Sequence, residues 1–306
     1  MIDLEARTRL TSCTACPHDC AVDRWRGDLG RCGVGRHAVV ASAFPHHGEE
    51  ACLVGRHGSG TIFFAGCNLA CIFCQNWDLS QRVEGAPLEP AGLADLMLRL
   101  QADRCHNVNL VSPSHVAPQV TDALGLARAR GLRVPVVYNS GGYDALASLE
   151  RLEGLVDIYM PDAKFWRPET AQRYCGAADY PERMREALRE MHRQVGDLVI
   201  EPDGVATRGL LVRHLVMPGL GEQTAAILRW LADEVSPDTH VNLMAQYRPC
   251  HQVGCPAGDG GRLFTELARR PSGSEYAAAL AAAREAGLWR LDGVDPGPDG
   301  TGPASW

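Results

Sequence analysis

Three cysteines within residues 66–76, sequence GCNLACIFCQN, have the spacing best suited to chemistry. Cys67, Cys71 and Cys74 follow the pattern C-x3-C-x2-C. Three thiolates on one short loop can ligate three irons of a [4Fe–4S] cluster, whereas full ligation by protein uses four cysteines. The fourth iron would then stay open to a small-molecule ligand, by the same logic that leaves catalytic zinc an open position. The alternative interpretation is a zinc loop or buried thiols without a ligand.

A second set of four cysteines lies close to the N-terminus, with the spacing C-x2-C-x3-C-x11-C. Its members are Cys13, Cys16, Cys20 and Cys32. Four thiolates suit either a structural, tetrahedral zinc ion or an auxiliary iron–sulfur cluster. The spacing does not decide between them. A zinc ion would make the segment a structural clamp, whereas a cluster would make it an electron relay or a substrate-anchoring site.

The composition supports metal ligation by these thiols over disulfide formation. Eight of the 12 cysteines lie in the first 74 of 306 residues. A chain of this size can bury an ample core without disulfides, and clustered cysteines then indicate metal or iron–sulfur ligands. The net charge of −7 argues against a nucleic-acid-binding surface. No apolar run approaches the ~18 residues of a membrane span, and residues 1–10 contain no apolar signal-peptide region. We therefore expect a cytoplasmic protein with neither a membrane nor a nucleic-acid partner.

The elements that must position the cysteines begin at residue 58, where apolar runs of strand length alternate with amphipathic helical segments. Six strands are predicted, at residues 61–66, 107–112, 134–139, 156–160, 210–216 and 241–245. Their nearly continuous apolar character indicates burial on both faces, as in a parallel sheet. Six β/α units predict a partial (β/α)6 barrel, because a full barrel typically takes ~250 residues. A doubly wound sheet is the alternative, but no G-x-G-x-x-G follows the first strand.

These patterns divide the chain into four segments. Residues 1–57 form a Cys-rich N-terminal extension with the second metal or iron–sulfur site, and residues 58–250 form the partial barrel. Residues 251–291 are expected to be a loop and a helix that pack on the barrel. Residues 292–306, rich in Gly, Pro and Asp, are expected to be a disordered tail.

The pattern C-x3-C-x-aromatic-C directly after the first strand, with Phe73 at the aromatic position, resembles the radical S-adenosylmethionine (SAM) superfamily. The resemblance implies that the open iron binds the amino and carboxylate groups of SAM. It further implies that one electron cleaves the sulfonium to methionine and a 5′-deoxyadenosyl radical, which abstracts hydrogen from a substrate. A flavodoxin-like or ferredoxin-like electron donor is the implied partner.

Other strand ends resemble pyruvate formate-lyase activating enzymes of this superfamily. Asp162 and Lys164 match a D-x-K motif whose polar pair reaches SAM and the substrate, which makes Lys164 a candidate catalytic residue as well. Arg213 and His214 match an R-(H/Y)-V-x-x-P-G strand, where a cation could hold the SAM carboxylate. Asn139 occupies the strand end that usually contacts the ribose.

One family motif is missing. The G-G-E-P that accepts the SAM ammonium after the second strand is replaced by VSPSH at residues 111–115, where carbonyl groups and the Ser112 hydroxyl could accept instead. Segments such as HGEE at residues 47–50 and NLMAQYRP at residues 242–249 extend the resemblance over almost the whole chain. They resemble a poorly characterised group described as pyruvate formate-lyase-activating-enzyme-like radical SAM proteins.

The resemblance leaves two functions open. The first is hydrogen abstraction from a small molecule or peptide, with Cys175, Cys250 or Cys255 as tentative hydrogen donors to a substrate radical. The alternative is an activase that installs a glycyl radical on a partner enzyme. The polar residues 46–50 could line a substrate pocket or act as acid and base, or they could form a solvated turn.

Overall fold

The computed structural model describes residues 4–258 and 261–292. The strands within these ranges are β1 (Ala38–His46), β2 (Ser59–Phe64), β3 (Ala86–Leu88), β4 (Val108–Val111), β5 (Val136–Ser140), β6 (Ile158–Pro161), β7 (Val199–Ile200), β8 (Ala206–Leu215), β9 (His240–Met244) and β10 (Leu291–Asp292). The α-helices are α1 (Leu4–Thr11), α2 (Ala51–Val54), α3 (Trp77–Gln81), α4 (Pro90–Ala102), α5 (Ala117–Ala129), α6 (Leu146–Glu150), α7 (Pro168–Cys175), α8 (Tyr180–Val195), α9 (Gly221–Glu234) and α10 (Gly273–Glu285).

One sheet contains all these strands, in the order β10-β9-β8-β6-β5-β4-β2-β1-β3, with β7 paired to β8. The six predicted strands are β2, β4, β5, β6, β8 and β9, and each neighbouring pair runs parallel. Their side chains are mostly buried, as expected for a sheet covered on both faces. In the described residues, no hydrogen bonds join the two ends of the sheet. The predicted partial (β/α)6 barrel is therefore confirmed.

Amphipathic helices pack against the outer face of the sheet and form the main core with it. Leu93 and Met97 of α4 belong to the same buried cluster as Val120 and Leu124 of α5 and Leu110 of β4. Helix α7 was not predicted, because its eight residues bury only three side chains. It begins at Pro168, as is common for a first helical residue, and ends before a glycine at φ +71°.

The N-terminal extension contributes a strand that the sequence analysis did not predict. Strand β1 pairs antiparallel with β2, with Phe44 opposite Thr61, and the short β3 pairs with the other edge of β1. Its sequence, AVVASAFPH, lacks a clean alternation of apolar and polar residues. The extension is thus part of the sheet. The division of the chain at residues 57, 250 and 291 stays a prediction.

The segment between β1 and β2 enters the lumen of the barrel. Cys52 and Leu53 of α2 pack in a second, smaller apolar cluster with Val137, Ile158 and Leu211. The side chain of Asn107 donates a hydrogen bond to the Leu53 carbonyl at 2.8 Å, which anchors the segment. The lumen therefore has an apolar lower layer partly built by α2, below the ends of the strands.

None of the helices in the described ranges combines the length and apolar character needed to cross a membrane. The tail that was predicted to be disordered lies outside the described residues, except for Asp292 at the end of β10.

Candidate functional site

The loop that follows β2 carries Cys67, Cys71 and Cys74, and its backbone is held on several sides. The amides of Ala70 and Ile72 donate to the carbonyls of Cys175 and Tyr174 at 3.2 and 3.0 Å. Gly66, just before the first cysteine, has φ +81°, and a Cβ there would lie 2.7 Å from the Cys32 carbonyl oxygen. Only glycine therefore allows the N-terminal extension to approach the loop this closely.

The three thiols line a single cavity of about 480 Å³. Among the described residues, no group of three or more His, Cys, Asp or Glu side chains is gathered as a site for one metal ion. In a cluster each sulfur binds a different iron, so the thiols do not converge on one point as they do around zinc. The donor set of three thiols in one cavity fits a site-differentiated [4Fe–4S] cluster.

The electrostatics around the thiols are consistent with metal ligation. Burial, together with the neighbouring Cys71 and Cys74, raises the pKa of Cys67 to about 12, whereas Lys164 opposes the shift. A hydrogen bond with the Cys175 thiol and burial hold the pKa of Cys71 well above its ordinary value. Buried thiols of this kind become thiolates only when a cation compensates the charge, and bound metal supplies that compensation.

Five polar residues predicted from the strand ends line the same cavity: Ser112, Asn139, Asp162, Lys164 and Arg213. Because the strands are parallel, their carboxyl ends meet at one edge of the sheet, which explains the convergence. The Ser112 backbone has φ +58°, an uncommon conformation for a residue other than glycine. The position that replaces the missing G-G-E-P motif is therefore a tight backbone turn at the cavity wall.

Arg213 and Asp162 form the centre of a buried ion network. The guanidinium donates to Asp162 Oδ1 at 2.9 Å and to Asn139 Oδ1 at 2.7 Å, and Lys164 pairs with the second oxygen of Asp162. Burial alone would raise the pKa of Asp162, but Arg213 and Lys164 lower it below its ordinary value. The network holds one carboxylate ionised between two cations at the cavity wall.

Two residues of the predicted cofactor-binding set are not brought to the cavity. Phe73 is buried in the core, where its ring contacts Phe165 edge-on at 5.9 Å. His214 points to the other face of β8, and its ring nitrogens lie 2.6 Å from the Ala163 carbonyl and 2.9 Å from Thr224 Oγ1. Successive residues of a strand face opposite sides, so Arg213 and His214 cannot both line the lumen. The geometry does not support a direct cofactor contact for either Phe73 or His214.

The three tentative hydrogen donors also lie outside the cavity lining. Cys175 is fully buried behind the loop next to Cys71, and its thiol donates to the Ala171 carbonyl at 3.1 Å. The Cys250 thiol donates to the Phe73 carbonyl at 3.0 Å, on the far side of the loop, and Cys255 donates to the His251 carbonyl at 2.9 Å. The structure therefore gives no support to a hydrogen-donor role for these thiols. Of the candidate catalytic residues, it brings Lys164 alone into the cavity.

The N-terminal set of thiols is gathered around a buried arginine. Burial, together with the proximity of Cys32, Cys13 and Cys20, raises the pKa of Cys16 to about 12. The Arg24 side chain has no exposed surface and contacts the Cys13 thiol at 3.7 Å, and it donates to the carbonyls of Gly35 and His115. In the described part of the chain, its Nη2 atom has no hydrogen-bond partner.

Arg24 was missed by sequence reasoning, although its position between the third and fourth cysteines was a usable signal. A buried guanidinium beside four thiols is the expected counter-charge for an anionic tetrathiolate centre. The two thiol sets also adjoin, because Cys32 and Cys67 line a second cavity of about 190 Å³.

Comparison with known proteins agrees with this arrangement. The family model described as the radical SAM superfamily matches residues 61–231, just over half of the chain. The uncharacterised protein MJ0674 of Methanocaldococcus jannaschii is 32% identical over 260 residues, which are 81% of this chain and 70% of that protein.

Two solved structures are similar to part of this chain. A domain of a pyruvate-formate lyase-activating enzyme from Bacteroides vulgatus has a TM-score of 0.39 at 12% identity, covering 57% of this chain and 89% of that one. Streptococcus suis SuiB has a TM-score of 0.46 at 13% identity, covering 74% of this chain and 46% of that one. The family match over β2 to α9 includes the cysteine loop and the strand ends that form the cavity, and the chain belongs to the radical SAM superfamily as one of its enzymes.

Proposed function

We propose that this enzyme binds a [4Fe–4S] cluster through Cys67, Cys71 and Cys74 and reductively cleaves SAM. One observation carries the proposal: the three thiols share one cavity with the polar strand-end residues expected to hold SAM. The bound cluster would supply the electron that converts SAM into methionine and a 5′-deoxyadenosyl radical for hydrogen abstraction. A small molecule or a peptide is the proposed substrate.

The residues of the chain then have distinct tasks. Arg213 and Lys164 provide the positive charge that can hold the SAM carboxylate, and Asp162 keeps both side chains in place. Asn139, fixed by its hydrogen bond to Arg213, is placed to contact the ribose. The Ser112 hydroxyl and neighbouring carbonyls can accept from the SAM ammonium.

The closed surroundings of the cavity favour a small substrate over a protein loop. The segment with α2 occupies the lumen from one side. On the other side, the amide of Gln252 donates to the Ile72 carbonyl at 3.0 Å, and Gln75 donates to the Gln246 carbonyl at 3.3 Å, so the chain after β9 packs on the cysteine loop. An activase, the alternative function, needs an open side that admits a partner's glycine loop.

We further propose a cytoplasmic location and a flavodoxin-like or ferredoxin-like electron donor. The cysteines proposed as iron ligands must stay unoxidised, which suits a reducing compartment.

The proposed function predicts 5′-deoxyadenosine formation by the anaerobically reconstituted enzyme. With dithionite and SAM, the product should accumulate, and the visible spectrum of the cluster should change when SAM is added. Chromatography of the product and spectroscopy of the cluster test this directly. Absence of both signals in a preparation with full iron and sulfide content would exclude the proposal.

For the N-terminal thiols we propose an auxiliary iron–sulfur cluster in preference to zinc. Cys13, Cys20 and Cys32 lie close enough to Cys16 to raise its pKa, but in the described residues the thiols do not converge on one point as they would around a tetrahedral zinc ion. The buried Arg24 supplies counter-charge for such an anionic centre. The shared cavity between Cys32 and Cys67 supports electron transfer to the catalytic cluster. Reconstituted enzyme should then contain about eight irons per chain without stoichiometric zinc, whereas about four irons with one zinc would refute the cluster.

Replacing Arg24 by methionine is expected to empty this second site. The variant keeps the length and apolar volume of the side chain but removes the buried counter-charge, so iron should fall from about eight to about four per chain. Arg26→Met is the matched control, because the Arg26 side chain is 86% exposed and should be replaceable without loss of iron. Equal iron contents in the two variants would contradict the role of Arg24.

A further inference from the structure

Two adjacent carboxyl groups, Glu49 and Glu50, are buried in the lumen without a full set of partners. They lie on the segment between β1 and β2, and their side chains are only 9% and 5% exposed. Glu49 lines the cavity that holds the three cluster thiols. Burying a carboxylate is costly unless it is paired, and placing two side by side increases the cost.

The nearby hydrogen-bonding groups are incompletely satisfied. Glu50 Oε1 accepts from Asn242 at 3.1 Å and lies 3.8 Å from Arg213 Nη1, but in the described residues Glu50 Oε2 has no partner. Asn109 is fully buried beside Glu49, whose pKa its amide lowers, and its Oδ1 atom has no hydrogen-bond partner in the same part of the chain. Buried polar groups of this kind normally have partners, so the site is built to receive polar atoms from outside the chain.

The charges indicate the sign of the missing partner. Three carboxylates, on Glu49, Glu50 and Asp162, face two cations, on Arg213 and Lys164. Lys164 pairs with Asp162, and Arg213 is shared between Asp162 and Glu50. Among the described residues, Glu49 therefore has no full cationic partner; the nearest is the His46 ring at 3.7 Å. A ligand with one positive charge, bound in addition to SAM, whose carboxylate and ammonium are assigned above to Arg213, Lys164 and Ser112, would balance Glu49.

The partner must also be a hydrogen-bond donor, because the unsatisfied atoms in the described residues include the acceptors Glu50 Oε2 and Asn109 Oδ1. An organic ammonium meets both requirements: it carries one positive charge and can donate up to three hydrogen bonds in different directions. The acceptors present are the Glu49 carboxylate, Glu50 Oε2 and the side-chain oxygen of Asn109, Oδ1. These three acceptors suit a primary amine at the end of a substrate that extends into the cavity.

We propose that Glu49 is a specificity-determining residue that binds a protonated amine of the substrate, with Glu50 and Asn109 as secondary acceptors. This inference rests on the proposed function only in assuming that the substrate enters the cavity. It narrows the substrate class to amine-bearing small molecules or lysine-like side chains.

The proposal predicts a pH dependence with a definite sign. Burial and the neighbouring Glu50 raise the pKa of Glu49 to about 7, against the opposing influence of Arg213 and Asn109. The charged and titratable groups that face it are His46 on β1, Glu50 before α2, Arg213 on β8 and, farther along the cavity, Asp162 and Lys164. An alkylamine stays protonated through this range, so its affinity should rise about tenfold between pH 6 and pH 8.

The test is equilibrium dialysis of three four-carbon probes against the reconstituted enzyme loaded with SAM. The affinity for butylammonium should be at least about tenfold higher than the affinity for butan-1-ol, and butyrate should have the lowest affinity of the three. Glu49→Gln should remove the preference for butylammonium, and Glu49→Asp should retain part of it. Glu285→Gln, a change at an exposed glutamate of α10, is the matched control and should retain the full preference.

Each alternative result has a clear meaning. Equal binding of the three probes by the unmodified enzyme, no binding of butylammonium, or an unchanged preference in Glu49→Gln would overturn the proposal. A loss of SAM affinity in Glu49→Gln with unchanged probe binding would assign Glu49 to the SAM site and overturn it as well. Dialysis needs no turnover, so failure of SAM cleavage, which would refute the proposed function, is scored separately.

Discussion

Cys67→Ala enzyme is expected to lose SAM cleavage by roughly 10³-fold or more, equivalent to about 4 kcal/mol of activation free energy. The variant leaves only two of the three thiols of the cavity, so the catalytic cluster cannot be held at three corners. Iron should fall from about eight to about four per chain, because the N-terminal thiols are unchanged. Iron analysis and 5′-deoxyadenosine chromatography on the same preparation measure both effects.

The matched control is Cys105→Ala. Cys105 is 2% exposed and lies after α4, away from both thiol sets, so its replacement should retain iron and activity. Cleavage at the unmodified rate by Cys67→Ala would contradict the ligand assignment. A loss of all iron in that variant would show that the two centres do not assemble independently.

The second large effect is expected for Arg213→Leu, which should destabilise the fold by about 3–5 kcal/mol. The substitution leaves the buried carboxylates of Asp162 and Glu50 without their shared cation, and the Arg213 and Asp162 side chains are only 18% and 15% exposed. Arg213→Lys should recover part of the lost stability, because it restores the positive charge. The recovery should be incomplete, because one ammonium cannot reproduce the two-sided contact of the guanidinium with Asp162 and Asn139. Urea denaturation of the three proteins measures the differences.

Arg130→Leu provides the comparison for Arg213→Leu. Arg130 pairs with Asp95 at the surface, where the side chains are 47% and 62% exposed, so its loss should cost less than about 1 kcal/mol. Similar destabilisation by the two substitutions would refute the view that the lumen network is a buried, mutually dependent unit.

The barrel strands could be predicted from sequence because each is buried on both faces. Strands were predicted at residues 134–139 and 156–160, and the structure places β5 and β6 at Val136–Ser140 and Ile158–Pro161, within two residues of the predicted bounds. Strand β1 was missed, because several of its side chains are partly exposed and its sequence therefore does not form a clear apolar run. What makes it a strand is its hydrogen bonding to β2 and β3. Its pairing is non-local, and a local pattern does not reveal it.

Local sequence patterns likewise predicted one part of the candidate site and missed another. Spacing and position after β2 predicted the three cysteines, and the polar strand ends predicted Asn139 and Asp162, which line the cavity. Side-chain direction explains why His214 lies outside the cavity, because the residue next to a lumen-facing arginine must point outward. The position of Arg24 between the third and fourth cysteines hinted at its proximity to them, but its contact with the Cys13 thiol depends on the folding of the segment, which the spacing does not report.

Strand β1 has a consequence for self-association. A sheet that ended at β2 would present a row of unpaired backbone groups, which other chains can extend by strand pairing. Here β1 covers that row, and the outermost strand, β3, has only three residues and includes Pro87, which lacks an N–H donor. The residues matched by the family model begin inside β2. A chain shortened to that match should therefore aggregate, even if its barrel helices remain intact.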